Sequence, residues 1–188
     1  MSESNWNSPA PGELDFVRRF LNTWKIPDST REPVDELSGL LKNTDAWEER
    51  FPGWKLGRGD TEELLRALRG DLRESLDNPE SWVERFNGWF EGYPLVARVS
   101  GEGREISVRF EQRPEGGFAG RILAVVAGSI GEGTWSRIKA CPDCRWVFYD
   151  RSRSKTRVWC GMYAGEGGRA CGTISKVRRY RQRHKAGQ

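Results

Sequence analysis

Apolar residues recur at helical spacing in three segments of the first half of the chain. In 13–24 an apolar face repeats every three to four residues, which predicts an amphipathic helix. A second helix is predicted through 32–42, with Pro33 in its first turn, where proline is tolerated. The most regular pattern lies in 60–76, where Asp60 can act as the N-cap and Glu63 occupies the capping-box position. The apolar stripe of this third helix comprises Leu64, Leu65, Leu68, Leu72 and Leu76.

The pattern changes to strict alternation between residues 93 and 111. Apolar residues occupy every second position on both sides of the Gly101-Glu102-Gly103 turn, which predicts a β-hairpin. We expect the alternating apolar residues of this hairpin to pack on helices. The apolar run that follows, 118–130, predicts a short buried helix.

Two octapeptides, WEERFPGW (47–54) and WVERFNGW (82–89), agree at six positions. In each, the tryptophan and phenylalanine are four residues apart and share a helix face, and the glycine falls where a C-cap would lie. The flanking sequences diverge, so we interpret the pair as two helix ends that dock similarly, without chemistry of their own.

These patterns predict an α+β protein with three parts. Residues 1–12 form a polar, disordered leader; 13–133 form a mostly helical N-terminal domain with an inserted β-hairpin at about 93–111; and 134–188 form a small C-terminal module that we expect to be a separate unit. No apolar run approaches the length of a membrane span, and the N-terminus lacks the pattern of a secretory signal. We therefore expect a cytoplasmic protein without membrane contact, in a compartment where thiols stay reduced.

All four cysteines lie in the last 48 residues, at the spacing C-x2-C-x15-C-x10-C. A pair three positions apart lets two thiolates converge on one cation, and four thiolates complete the tetrahedron that Zn²⁺ prefers. An iron–sulfur cluster, a redox pair and a catalytic zinc remain alternatives, although the only histidine, His184, lies far along the tail. We predict one structural Zn²⁺ in a treble-clef or zinc-ribbon-like module. A strand should follow the first pair, return through 157–159, and lead to a helix near the last ligand. The predicted metal ligands are Cys141, Cys144, Cys160 and Cys171.

The overall charge of +4 conceals an uneven distribution. Residues 135–188 carry 14 lysines and arginines against three acidic residues, whereas the rest of the chain is net acidic. A basic helix after the last cysteine suits phosphate, because guanidinium groups match its oxygens in bidentate geometry. A solvated basic tail is the alternative. The predicted nucleic-acid-binding residues are Lys176, Arg178, Arg179, Arg181, Arg183 and Lys185.

The run IKACPDCRWVFYDRSRSKTRVWCGM (138–162), followed by CG and a basic helix, resembles the CGNR zinc-finger family of bacterial proteins. The resemblance implies zinc ligation by the four cysteines and a helical N-terminal domain called ABATE, to which RFLNTW (19–24) and LLRALRGDLRESL (64–76) are similar. It also implies a stress-induced transcription regulator that binds DNA. Two features differ: the name-giving tetrapeptide is CGTI, with Thr173 and Ile174, and the gap from Cys160 to Cys171 is longer than the family's.

Three functions follow from these observations. The favoured one is a transcription regulator whose N-terminal domain senses a small molecule or protein, and whose zinc module binds nucleic acid, with DNA favoured over RNA. The second is an interaction protein in which zinc is purely structural. The third is an enzyme, which we do not expect because nothing groups the carboxylates into an acid/base pair. The sequence leaves the oligomeric state open, and a homodimer is one of the possibilities.

Overall fold

A computed structural model of the chain describes residues 9–27, 29–78, 80, 82–113, 116–161, 171–174, 176 and 177. The helices before residue 132 are α1 (Leu14–Leu21), α2 (Leu37–Leu41), α3 (Thr44–Arg50), α4 (Glu62–Ser75), α5 (Trp82–Gly92) and α6 (Gly117–Gly131). The strands are β1 (Trp24–Lys25), β2 (Val34–Asp35), β3 (Leu95–Glu102), β4 (Glu105–Gln112), β5 (Ile138–Ala140) and β6 (Val147–Tyr149). They form three antiparallel pairs, β1 with β2, β3 with β4 and β5 with β6. This mixture of helices and small strand pairs confirms the predicted α+β class.

The core of the helical region forms around Phe118 of α6. Its ring makes edge-on contacts with Phe20 of α1, Trp47 of α3, Phe51 and Trp54, at centroid separations of 4.7–5.8 Å. Such edge-to-face pairs stabilise a core beyond the apolar area that they bury. The predicted stripes of α1 and α4 supply the aliphatic part of the same buried cluster.

Helix α4 begins one residue later than predicted. Thr61 is its N-cap, and the Thr61 hydroxyl accepts a hydrogen bond from the Leu64 N–H at 3.2 Å. Asp60 caps α6 instead: its carboxylate accepts from the N–H groups of Phe118 at 2.7 Å and Ala119 at 3.0 Å. The first-turn N–H groups of α6 have no partner within the helix, so a carboxylate 58 positions earlier in the chain satisfies them.

The predicted helix through 32–42 is only half correct. Residues 34–35 form β2, which pairs with β1, and helix α2 starts at Leu37. The Asp35 carboxylate accepts from the Leu37 N–H at 3.1 Å and pairs with Arg69 of α4 at 2.6 Å. These contacts hold Asp35 extended, so the turn after Pro33 is not helical.

The two similar octapeptides end in different conformations. In the first, α3 stops at Arg50, and Gly53 adopts a left-handed conformation with φ of 72°. In the second, α5 continues through Gly88 to Gly92, so the predicted C-cap there is wrong. Pro52 explains the difference, because proline disfavours helical geometry in the residue before it, whereas Asn87 at the equivalent position does not.

The hairpin lies where the alternation predicts it, with Val99 opposite Val108 and Ala97 opposite Phe110. The predicted packing is wrong for its outer half: Val99 is 72% exposed and Ile106 68% exposed. Eight-residue strands extend about 26 Å, and the hairpin reaches the rest of the fold at its base, where the Gln112 side chain donates to the Gly117 carbonyl at 2.6 Å.

Packing crosses the predicted domain boundary at residue 134. Trp135, Ile138 and Val147 are buried in the same apolar cluster as the helices. The C-terminal module therefore packs on the helical region through these three residues. Its four cysteines lie in a second cluster, with Trp146, Phe148 and Trp159. No helix in the described part of the chain combines the length and apolar character that crossing a lipid bilayer requires.

Candidate metal centre

Strands β5 and β6 present the first cysteine pair in the turn between them. Lys139 lies opposite Phe148, and the turn is closed by hydrogen bonds from Arg145 N–H to the Cys141 carbonyl and from Cys141 N–H to the Trp146 carbonyl, both 2.9 Å. Arg145 has φ of 60°, the left-handed conformation that the tight turn requires. The predicted strand after the turn is confirmed. Its partner is the preceding strand β5, however, and residues 157–159 are not a strand.

The other two cysteines approach the turn from later parts of the chain. Cys160 ends the segment that follows the loop after β6, and Cys171 begins a helical stretch over 171–174. The prediction of a helix near the last cysteine is thus confirmed. All four cysteine side chains are fully buried.

The four sulfur atoms form one compact cluster. All lie within 4.8 Å of one another, with Cys144 Sγ 3.4 Å from Cys160 Sγ and Cys160 Sγ 3.9 Å from Cys171 Sγ. A tetrahedral zinc site with bonds of about 2.3 Å separates its sulfurs by about 3.8 Å, whereas a disulfide needs about 2.05 Å. The separations and the all-sulfur donor set fit one zinc ion, as the sequence predicts.

The protonation of the cluster also favours a bound cation. Hydrogen bonds from the thiol of Cys144, and then from that of Cys160, hold the pKa of Cys141 far below its ordinary value. Burial, and then repulsion from the neighbouring sulfurs, raises the pKa of Cys171. One thiolate therefore forms easily, while further thiolates are opposed by burial and like charge. A divalent cation at the centre removes this obstacle, because metal ligation favours the deprotonated form.

Asp150 organises the loop between the strands and Cys160. Its buried carboxylate accepts from Lys139 Nζ at 2.8 Å, Ser152 N–H at 2.9 Å and Arg157 N–H at 2.9 Å. Burial opposes ionisation, but the hydrogen bonds from Lys139, Ser152 and Arg157 outweigh it and hold the pKa of Asp150 well below its usual range. The loop is therefore fixed at both ends by one acidic side chain.

Polar contacts dock the cysteine turn and β6 on the helices. The Asn22 carboxamide donates to the Val147 carbonyl at 2.8 Å and accepts from the Val147 N–H at 2.7 Å. The buried Arg73 guanidinium donates to the Arg145 carbonyl at 2.6 Å, and the Arg145 side chain forms an ion pair with Asp77. A side chain that satisfies a strand's N–H and carbonyl together fixes the position of that strand.

Two more contacts reach the turn from the chain after β1. The Ile26 N–H donates to the Cys144 carbonyl at 3.2 Å, and Arg31 pairs with Asp143 at 3.0 Å. The tip of the cysteine turn, from Asp143 to Arg145, therefore faces the helical region.

The structure describes only part of the predicted nucleic-acid-binding set. Lys176 is exposed, in the first turns after Cys171. The other predicted residues lie outside the described part of the chain: Arg178, Arg179, Arg181, Arg183 and Lys185.

Sequence reasoning missed a basic loop after β6. Arg151, Arg153 and Lys155 are exposed, at alternate positions of the segment RSRSKTR (151–157). The signal was present in that alternation of basic and small polar residues, which we interpreted only as a turn.

Geometry and donor chemistry define residues 138–177 as a zinc-binding module built on four cysteines. A comparison with protein families agrees: residues 137–184 match the CGNR zinc finger, which covers 48 of the 188 residues. No curated protein matches the chain.

Proposed function

We propose that this protein is a non-enzymatic regulator whose zinc module binds nucleic acid through phosphate contacts, with DNA the favoured form. The observation that carries the proposal is the exposed basic loop, held against a site that fits structural zinc. Arg153 and Lys155 have no carboxylate partner among the described residues. The Arg151 guanidinium donates to the Pro9 carbonyl and lies over the Tyr149 ring, 5.8 Å from its centroid. When exposed cations of this kind neutralise phosphates, the nucleic acid releases the counterions condensed on it, which favours binding.

The zinc site supports a structural role. Four thiolates fill the tetrahedral coordination of the ion, so no position remains for a reacting water or substrate. The metal would hold Cys160 and Cys171 against the cysteine turn. It would thereby fix one end of the basic loop and the start of the basic helix that contains Lys176.

Salt dependence of binding tests this role. Anisotropy titrations with duplex DNA, single-stranded DNA and RNA, each at several salt concentrations, should give log K falling linearly with log salt. Replacing Arg153 and Lys155 together with glutamine should weaken binding to all sequences alike and flatten the slope by about 1.8 units, since two phosphate contacts are lost.

The matched control removes the same charge elsewhere. Lys55 and Arg58 are also exposed, on the helical region, so Lys55→Gln with Arg58→Gln should leave the slope unchanged. Equal effects of the two double variants would indicate a general charge effect and contradict the loop assignment. If the zinc-loaded protein shows no salt-sensitive affinity for any of the three probes, the alternative of a protein-interaction module with structural zinc replaces this proposal.

A cavity on the helical region is a candidate site for the small molecule that the N-terminal domain is expected to sense. It measures about 400 Å³ and lies between α1, α3 and Trp146, beside the cysteine turn. Three arginines and one carboxylate, that of Glu49, line it. Arg18 and Arg19 share the Asp15 carboxylate, and Arg50 pairs with Glu36. The lining residues are Arg18, Arg19, Asn22, Ala46, Glu49, Arg50 and Trp146.

A small anion with a planar group suits this lining, because guanidinium groups bind its charge and the indole face can stack on its ring. Calorimetric titration with inorganic phosphate and with a nucleoside monophosphate tests the assignment. Arg50→Gln should weaken binding, and Arg58→Gln should not. Failure of both probes to bind would remove the cavity from the proposal without affecting nucleic-acid binding.

A further inference from the structure

The outer half of the β3–β4 hairpin exposes an unusual concentration of aliphatic side chains. Of the nine large apolar residues that are exposed in the described part of the chain, four lie on these two strands: Val96, Val99, Ile106 and Val108. Isolated two-stranded hairpins are marginal in water, and clustered exposed apolar side chains indicate a binding surface.

The register places most of these side chains on one face. Val99 is opposite Val108, and Ile106 is opposite Gly101, so Val99, Ile106 and Val108 share a face. The opposite face is largely polar, with Ser100 opposite Ser107.

The outer edge of β4 carries no third strand in the described part of the chain, although α6 lies beside residues 108–110 of β4. Among the described residues, the backbone of β4 forms ladder hydrogen bonds with β3 and with no other strand. The unpaired N–H and carbonyl groups of such an edge are a template for another strand.

The charges along β4 are complementary to those of a second β4 that runs antiparallel to it. Arg98 of β3 already pairs with Glu111 at 2.5 Å. Glu105 and Arg109 are both exposed and have no ion-pair partner among the described residues. They lie two positions on either side of Ser107, on the same face of the strand. A two-fold axis at Ser107 therefore brings each glutamate opposite an arginine.

We propose that the hairpin is a dimerisation surface, on which β4 pairs antiparallel with β4 of a second copy about Ser107. This register forms two Glu105–Arg109 ion pairs and places Ile106 beside Val108 of the second copy twice. The aliphatic residues of the two hairpins then form continuous rows across a four-stranded sheet. Dimerisation by this edge does not depend on the proposed nucleic-acid binding.

Neighbouring registers are less favourable. An axis at Val108 places Glu105 opposite Glu111, and an axis at Arg109 opposes two guanidinium groups, and like charges directly opposite one another destabilise a sheet. On the other edge, an axis at Ser100 of β3 opposes Val99 to a glycine and draws on Arg98, which is already paired. Axes at Ser100 and Phe110 also oppose unlike charges, but they draw on Arg98 and Glu111, which already pair with each other. The axis at Ser107 therefore differs from these in forming two ion pairs between side chains that have no ion-pair partner among the described residues.

Charge reversal and charge exchange test the pairing. The mass of the full, zinc-loaded chain should rise from monomer to dimer with concentration in sedimentation equilibrium. Arg109→Glu alone, or Glu105→Arg alone, turns both ion pairs into repulsions and should weaken dimerisation roughly 30-fold. The combined variant Glu105→Arg with Arg109→Glu restores opposite charges and should recover dimerisation close to that of the unaltered chain.

Lys55→Glu, a charge reversal away from the hairpin, is the control and should leave the dimer unchanged. Circular dichroism should show that the single variants remain folded. A chain that stays monomeric at all concentrations overturns the proposal. So does a dimer that is insensitive to the single reversals, or a combined variant that stays as weak as the single ones, because the two copies would then meet through a different surface.

Discussion

Replacing Asn22 with alanine should detach β6 from the helical region more effectively than any other single truncation at this contact. Asn22 is 1% exposed, and its carboxamide is the partner of both the N–H and the carbonyl of Val147. Alanine removes both partners at once and leaves no room for bulk water to replace them, because Val147 itself is fully buried.

The magnitude follows from the two orphaned groups. A buried backbone donor or acceptor without a partner costs about 1–3 kcal/mol. Two such groups therefore predict a loss of about 2–6 kcal/mol in the free energy of unfolding, and local relaxation lowers the upper end of this range. The shortened side chain also opens the wall of the arginine-lined cavity, of which Asn22 is a part.

Urea unfolding measures this loss, and Asn87→Ala provides the control. Asn87 is exposed on α5 and has no side-chain hydrogen bond in the described structure, so its replacement should change stability by no more than about 0.5 kcal/mol. A chelator competition should show that Asn22→Ala also releases zinc more easily, since undocking β6 loosens the cysteine turn. If Asn22→Ala costs no more than Asn87→Ala, the docking described above is refuted.

Three further predictions concern the zinc site, a helix cap and the response to acid. Cys144→Ser should reduce bound zinc from one ion per chain to none in elemental analysis, because three thiolates cannot close the tetrahedron. Asp60→Ala should lower the midpoint of urea unfolding by an amount equivalent to about 1–3 kcal/mol, since the first turn of α6 loses its cap. Asp150→Asn should be destabilising at pH 7. The folded-state pKa of Asp150 is lowered, so its stabilising effect is present above the unfolded-state pKa near 4 and is lost as pH falls through the folded-state value. The stability gap between the two proteins at equal pH should therefore stay constant down to about pH 5 and narrow only below pH 4.

The features that the sequence predicts well depend on local spacing. The stripe of α4 and the grouping of the four cysteines follow from residues whose separations are fixed by helix geometry or by a tight turn. The hairpin is predicted equally well, because the two-residue alternation of a strand also depends only on neighbouring residues. Whether its apolar face is covered depends on where α6 ends against it, which the alternation does not encode.

Asp60 shows why a correct motif can lead to the wrong partner. An acidic residue before a helical stripe is a good N-cap, and Asp60 does cap a helix, but the helix is α6 rather than α4. Thr61, the adjacent residue, was free to cap α4. Gly117, with φ of 57° and little space for a side chain beside Asp60, allows this long-range contact. The spacing of residues along the sequence cannot decide which of two helix N-termini, that of α4 or that of α6, the Asp60 carboxylate will cap.

Part of the docking of the zinc module was hidden because polar residues contribute to it beside the apolar packing of Trp135, Ile138 and Val147. Asn22 is the C-cap residue of α1 and Arg73 lies on α4, and at such positions an asparagine or arginine ordinarily faces water. Here they are buried, and their partners are backbone carbonyls and an N–H of the cysteine turn and β6. Backbone groups have no sequence signature, so a pattern of residue types does not predict these contacts between the helical region and the zinc module.

This docking restricts how a polyanion can reach the zinc module. Arg31 and Arg73 contact the tip of the cysteine turn, and Asp77 pairs with Arg145, so that side of the module is closed by the helical region. The exposed cations of the loop after β6 lie between Ser152 and Arg157 or directly beside them, and the Asp150 carboxylate binds the N–H groups of those two residues. In the proposed role, nucleic acid would therefore approach the module from the side of this loop.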